Sequence, residues 1–337
     1  MGQRANLVVV TAQGVELYYT HWGANVLDRE LFWGPVHATA FARAQRSEAE
    51  GAEWLDDIWS EGGAIIDHTQ RVLLWYGGED ILYDVPRRRV LFELMRTCWQ
   101  GWQVRWADQG IVDLAQHVGI SKQRVLAVRS SKPTVPPTFP CPEQKDWIDS
   151  VITVVERGAT RVIPIQGHPG DWMADGALLL PALRATEGLP QLDYAEWSPT
   201  FPTGGMHVDF DRNMFGIWLS PPLEDVEQRA ARALPGLRCE WWRDEYERHL
   251  ALTPGILTFP KLDLQACLEA NRAKLLGGNG DPVQSLLQTI AALQNEGRTV
   301  SNVNVFALRD DPGPVPTGNR AEIVARAIAE YTQRLER

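Results

Sequence analysis

Basic charge is scarce in this chain. Its 33 Lys and Arg stand against 43 Asp and Glu in 337 residues, a formal net charge of −10. Nucleic-acid binders draw affinity from cations set against phosphates, so no nucleic-acid partner is expected. The one tight basic cluster, Arg87-Arg88-Arg89, fits an exposed helix turn equally well. Cysteine is scarce as well: Cys98, Cys141, Cys239 and Cys267 are far apart and form no C-x-x-C. That spacing is neither a disulfide framework nor a zinc ribbon, and four scattered thiols suit a cytoplasmic protein. No apolar run approaches the ~20 residues of a membrane span, so no membrane partner is expected. The first residues, Met1-Gly2-Gln3-Arg4-Ala5-Asn6, lack the apolar stretch of a signal peptide, and Asn6 stands where a myristoylation signal needs Ser or Thr.

Recognisable catalytic signatures are missing too. There is no G-x-S-x-G, no H-E-x-x-H and no metal-ligand spacing among the seven histidines, so no metal and no cofactor is expected. Asp209-x-Asp211-x-Asn213 opens like a calcium loop, but Met214 replaces the required Gly and Ser220 the required Glu, which leaves a hairpin turn. Gly277-Gly278-Asn279-Gly280 lacks the following Gly-Lys-Ser/Thr of a phosphate loop and reads as a helix stop before an Asp281 N-cap and Pro282.

What is present is a duplication. Gly62 to Trp75-Tyr76 reads as two apolar runs around a polar turn, a β-hairpin signal, and the same text returns without a gap from Gly204 to Trp218. Ala52-Glu53-Trp54 is answered by Ala195-Glu196-Trp197, Trp106 by Trp241, and Gly119 by Gly255. The expected fold class is α+β: two tandem pseudo-repeats, each ββ-α-ββ-α-β-α, with a helical C-terminal extension. The expected boundaries are 1–128 for repeat one, 129–146 for a Pro-rich linker, 147–255 for repeat two, and 256–337 for the extension packed on the body. The runs 7–10, 72–76 and 151–155 are continuously apolar, which a sheet with one wet face would not be. Both faces should therefore be covered, either by stacking the two sheets as an αββα sandwich or, in separate two-layer domains, by the C-terminal helices. Trp106 and Trp241 should be buried at equivalent strand ends.

Fourteen tryptophans are many for this length, and core packing is the default use of so much ring surface. A minority would line a pocket. The polar set with chemical potential lies at strand ends of repeat one. Glu61 and Glu79 bracket the central hairpin, and His21 leaves the neighbouring one. A histidine and two carboxylates can do acid–base work, one Glu as donor and the other as acceptor with His21 as relay. Trp22, Asn25, Gly77, Gly78, Asp80 and Arg105 would bind the ligand, the glycines letting backbone amides come close. A solvated sheet edge with ordinary ion pairs explains the same residues without chemistry. The expected function is a small-ligand-binding protein or a cofactor-independent acid–base or hydrolytic enzyme with a single Trp-lined, carboxylate/His pocket in repeat one or at the repeat interface. The alternative is a non-enzymatic acidic module or scaffold that binds a basic protein.

Overall fold

The computed structural model describes residues 2–128, 139, 148–174, 179–278, 281–300, 303–308, 314 and 317–337. Nearly all of the expected Pro-rich linker, 129–146, lies outside the described residues, as do Cys141 and the Asn279-Gly280 pair. The chain divides into two units. Residues 1–81, 87–127 and 264–337 form the first, and residues 82–86 and 128–263 the second.

The first unit begins with strands β1 (Ala5–Thr11) and β2 (Gly14–Thr20), short helix α1 (Leu27–Glu30), α2 (Pro35–Arg43) and β3 (Arg46–Ser47). The Gly62 hairpin follows as β4 (Gly62–Asp67) and β5 (Val72–Tyr76), then α3 (Glu79–Leu82), α4 (Val85–Met95), β6 (Gln103–Trp106) and α5 (Ile111–His117). The strands form one mixed sheet in the order β3-β2-β1-β4-β5-β6. Two antiparallel hairpins are joined by a parallel ladder between β1 and β4, running from Ala5 opposite Gly62 to Val10 opposite Asp67.

The second unit repeats this plan. It comprises β7 (Ser150–Glu156), β8 (Ala159–Ile165), α6 (Pro169–Ala174), α7 (Leu179–Ala185), β9 (Leu192–Asp193), β10 (Gly204–Asp209), β11 (Met214–Leu219), α8 (Val226–Ala233), β12 (Arg238–Trp241), α9 (Tyr246–Leu252) and β13 (Leu257–Thr258). Its sheet, β12-β11-β10-β7-β8, is the order of the first read from the other end. The registers agree as well: Ser150 faces Gly204 as Ala5 faces Gly62, and Gly205 faces Trp218 as Gly63 faces Tyr76. The Gly62 and Gly204 hairpins occupy equivalent positions, and the layout fits a tandem repeat. The turns agree in detail, Arg71 at φ 56° matching Asn213 at φ 52°. The calcium-like stretch is a turn: Asp209 accepts from the Arg212 backbone, and Asp211 from the Arg157 and Gly158 amides. The units differ at one edge, where β3 adds to β2 while β9 pairs with β13 in a separate two-stranded ladder.

Strand alternation sends every second residue to one face. In the first unit Leu7, Val9, Ala64, Ile66, Leu73 and Trp75 join one cluster with α1, α2 and α4. Val8, Ile65, Leu74 and Tyr76 join another with α5. In the second unit α6, α7 and α8 take one face, and α9 with the β9 and β13 segments takes the other. Each sheet is thus covered on both faces from within its own unit. The expected sandwich gave each repeat helices for one face only. The final helix of each repeat, α5 or α9, was expected as an element, and it takes the face that this reading left to the other sheet or to the extension.

The extension supplies α10 (Leu264–Leu276), α11 (Pro282–Asn295) and α12 (Arg320–Leu335). Leu268, Leu275, Val324 and Ala327 are part of the first unit's core. Asp281 caps α11 by accepting from the Gln284 amide, as its sequence suggested.

Trp106 and Trp241 are half-buried, not buried. They sit on β6 and β12, which are edge strands, so one flank of each ring stays open. Trp75, one strand further in, is fully covered and packs on Trp106 with ring centroids 5.6 Å apart. Trp75→Ala should therefore cost about 3–5 kcal/mol and Trp106→Ala roughly half as much, read by urea unfolding. Equal losses would contradict the edge-strand account.

Candidate functional site

The two ends of the β4–β5 hairpin are neighbours. A Cβ on Gly77 would stand 3.2 Å from the Gly62 Cα and 3.0 Å from the Ala24 carbonyl, with φ at +123°. A Cβ on Gly78 would stand 3.0 Å from the Asp28 Cβ. Glycine is needed here for close passage of backbone over the 24–28 segment, not to expose amides to a ligand. The Gly78 amide is already spent on the Ala24 carbonyl, at 2.8 Å.

Around these two glycines three more of the expected site residues converge, Asn25, Glu79 and Asp80. Asn25 donates through Nδ2 to Glu79 Oε2 at 2.7 Å. Asp80 lies 3.5 Å from Arg87 and 3.4 Å from Lys274. Lys274, on α10, also donates to the Asn25 carbonyl at 3.2 Å and approaches Asp28 Oδ2 at 3.8 Å. Asp28 is 2% exposed, and burial pushes its carboxyl up to about 6 against the opposing pull of Lys274. Asn271 ties Arg87 to α10, with each residue donating to the other at 3.2 Å. The candidate site is therefore Asp28, Lys274, Asp80 and Arg87, with Asn25 and Glu79 on its exposed side.

The remaining residues have other partners in the first unit. Glu61 is held by Arg4, which donates from its backbone amide at 2.7 Å and from Nη2 at 2.8 Å. The two glutamates thus close one hairpin but answer to different partners. His21 is 6% exposed, with Nδ1 2.9 Å from the Tyr19 hydroxyl and its ring edge-on to Trp22. Trp22 donates to the Ala307 carbonyl at 3.1 Å. Arg105 is exposed on edge strand β6, opposite Leu74.

Asp28, Asn271 and Lys274 carry no part in the sequence reading, and Arg87 enters it only in a basic helix turn expected to be exposed, whereas Arg87 is half-buried and Arg88 buried. A signal for Asp28 was there: Asp28-Arg29-Glu30 interrupts the apolar Val26-Leu27 and Leu31-Phe32-Trp33. Charges set in such text must be paired or shift their pKa. The Lys274 partner has no local signal.

The second unit holds a different polar group. Trp218 Nε1 donates to His249 Nδ1 at 3.3 Å, His249 Nε2 is 2.7 Å from Thr153 Oγ1, and that oxygen is 2.8 Å from His207 Nδ1. Thr153 and His249 are 0% exposed and His207 2%. Burial holds His249 down at about 3 and also lowers His207.

Among the described residues no group of His, Cys, Asp and Glu is arranged to hold a metal ion, and no helix is long and apolar enough to cross a membrane. No protein-family model, curated protein or solved structure matches this chain.

An acid raised in the fold burdens the folded state once it ionises. Asp28 should thus make folding less favourable as pH rises through about 6 from the unfolded value near 3.8. Asp28→Asn removes that burden. Its stability relative to wild type should improve between pH 4.5 and pH 8, read by urea unfolding at both. A pH-independent difference would place the Asp28 carboxyl in water.

Proposed function

We propose that the chain is a non-enzymatic binding module whose partner is a basic protein. One observation carries this reading: Ile58 and Trp59 stand side by side in solvent, 53% and 52% exposed, on a tightly braced turn. Asp56 Oδ1 accepts from the amides of both at 3.0 Å. Asp57 donates its amide to the Val125 carbonyl and accepts from the Ala127 amide. The fully buried Asn6 fixes the approach to the turn through Glu53 and Leu55. Arg4, paired with Glu61, lies 4.2 Å over the Trp59 ring. An exposed Trp backed by Arg is the residue pair that dominates protein interfaces, and holding it rigid lowers the entropy cost of binding. The flanking Glu53, Asp56 and Asp57 and the net charge of −10 favour a basic partner. The scattered thiols suit a cytoplasmic setting, and the shared strand order and registers support an origin by internal duplication.

A second reading has its own observation. The raised Asp28 carboxyl beside Lys274, with Asn25 and Glu79 on the exposed side, would suit a small ligand or cofactor-independent proton transfer. Glu61 and His21 have no part in that version.

A photo-crosslinking residue at position 58 should capture a basic protein from the source cell. With that protein purified, Trp59→Ala should weaken binding at least ~30-fold by calorimetry, as a hot-spot residue does, and affinity should fall with salt. Unchanged affinity for Trp59→Ala would defeat the reading. Loss on Asp28→Asn with Trp59→Ala neutral would favour the second one.

A further inference from the structure

The hydrogens of the second unit's buried network can be assigned one by one. An indole nitrogen only donates, so His249 Nδ1 accepts from Trp218 and the ring's proton sits on Nε2. That Nε2–H donates to Thr153 Oγ1, and the hydroxyl proton can then pass the chain on to His207 Nδ1. Run this way, the chain has both imidazoles neutral, and the indole donor fixes His249 in that state. Protonating His249 puts a second hydrogen against the Trp218 donor. Protonating His207 at Nδ1 turns it against the Thr153 hydroxyl.

The first unit shows what the same positions look like without this network. Strand register equates Thr153 with Val8, His207 with Ile65, and Trp218 with Tyr76. His249 corresponds to Leu114: a Cβ on Gly205 would stand 2.7 Å from the His249 ring, and one on Gly63 2.6 Å from the Leu114 side chain. All four counterparts belong to one apolar cluster. The fold therefore does not need polar groups there, and the second unit has them on the one surface where α9 meets its sheet.

We propose that the Thr153–His207–His249 chain is an acid-operated latch that holds α9 on the sheet of the second unit when both imidazoles are neutral and releases it when they take protons. Thr153 comes from β7, His207 from β10 and Trp218 from β11, with Trp242 and Phe259 packed on the His249 ring. The charged groups acting on the chain are Asp209 and Arg212, which bear on His207, while His207 itself bears on His249. The sign follows from the depressed imidazoles. At pH below the ordinary ~6.5 the released form binds protons that the latched form refuses, so release becomes easier as pH falls. His249 makes the released form about tenfold more populated per pH unit below that value, and His207 acts in the same direction.

Hydrogen exchange of the α9 amides, corrected for the intrinsic pH dependence, tests the latch. Wild-type protection should fall at least about tenfold per unit between pH 6 and pH 4.5. The variant Thr153→Val/His207→Ile/His249→Leu carries the first unit's own residues and should keep α9 protected without that pH dependence. Protection that is pH-independent in wild type, or equally pH-dependent in the variant, overturns the proposal. Nitrogen NMR of the wild-type imidazoles decides the case if the variant does not fold. Neutral rings with bare Nδ1, protonating only as α9 opens, support the latch. Rings that titrate while α9 stays protected overturn it.

Discussion

The parallel ladder between the first strand of each unit and its glycine hairpin is the constraint on which the rest depends. Two antiparallel hairpins could each form alone, but neither would be stable in water. Joining them through β1–β4 and β7–β10 makes a sheet whose central strands are apolar on both sides. A parallel joint needs a long crossover, and the chain uses it to carry α1 and α2, or α6 and α7, over one face. Once that face is covered, the short helix after the last strand must cover the other. The same joint brings the starts of β1 and β4 and the ends of β2 and β5 to one sheet edge, where residues 21–25, 60–62 and 76–80 gather.

Much of this was legible in the sequence because it is local. Apolar runs, the glycines at 62 and 204 and the repeated Trp spacing determine strands and their order without any distant contact. Three things were not legible. The edge position of Trp106 depends on which strand ends the sheet, which its own text does not carry. The last helix of each repeat was legible as an element, but not that it covers the second face of its own sheet. The electrostatics of Asp28 are decided by Lys274, brought in from α10. Glu61, Glu79 and His21 each take a partner of their own that the sequence does not announce. Sheet topology brings the hairpin ends together, and there Arg4 binds Glu61, Asn25 binds Glu79 and Tyr19 binds His21.

The two units also show how one backbone plan accepts different chemistry. Val8, Ile65, Leu114 and Tyr76 make an oily seam in one, and Thr153, His207, His249 and Trp218 a hydrogen-bonded seam in the other. A satisfied polar seam narrows the arrangements that pack well, while an apolar one tolerates them. The tryptophans divide along the same line: Trp75 and Trp99 close the first unit's core, Trp218 and Trp242 the second's, and Trp59 is turned outward.

The placement of α10 and α12 has a consequence for synthesis. The first unit's core includes Leu268, Leu275, Val324 and Ala327, all translated after the whole of the second unit. As the chain leaves the ribosome at ~5–20 residues per second, the unit encoded later is the first whose full complement of residues exists. The unit encoded first must wait with an open face, Asp28 and Asp80 without their lysine, through the making of its neighbour. The nascent chain thus completes itself in the reverse of its genetic order, and the interval is one in which a chaperone would find exposed apolar surface on the older half.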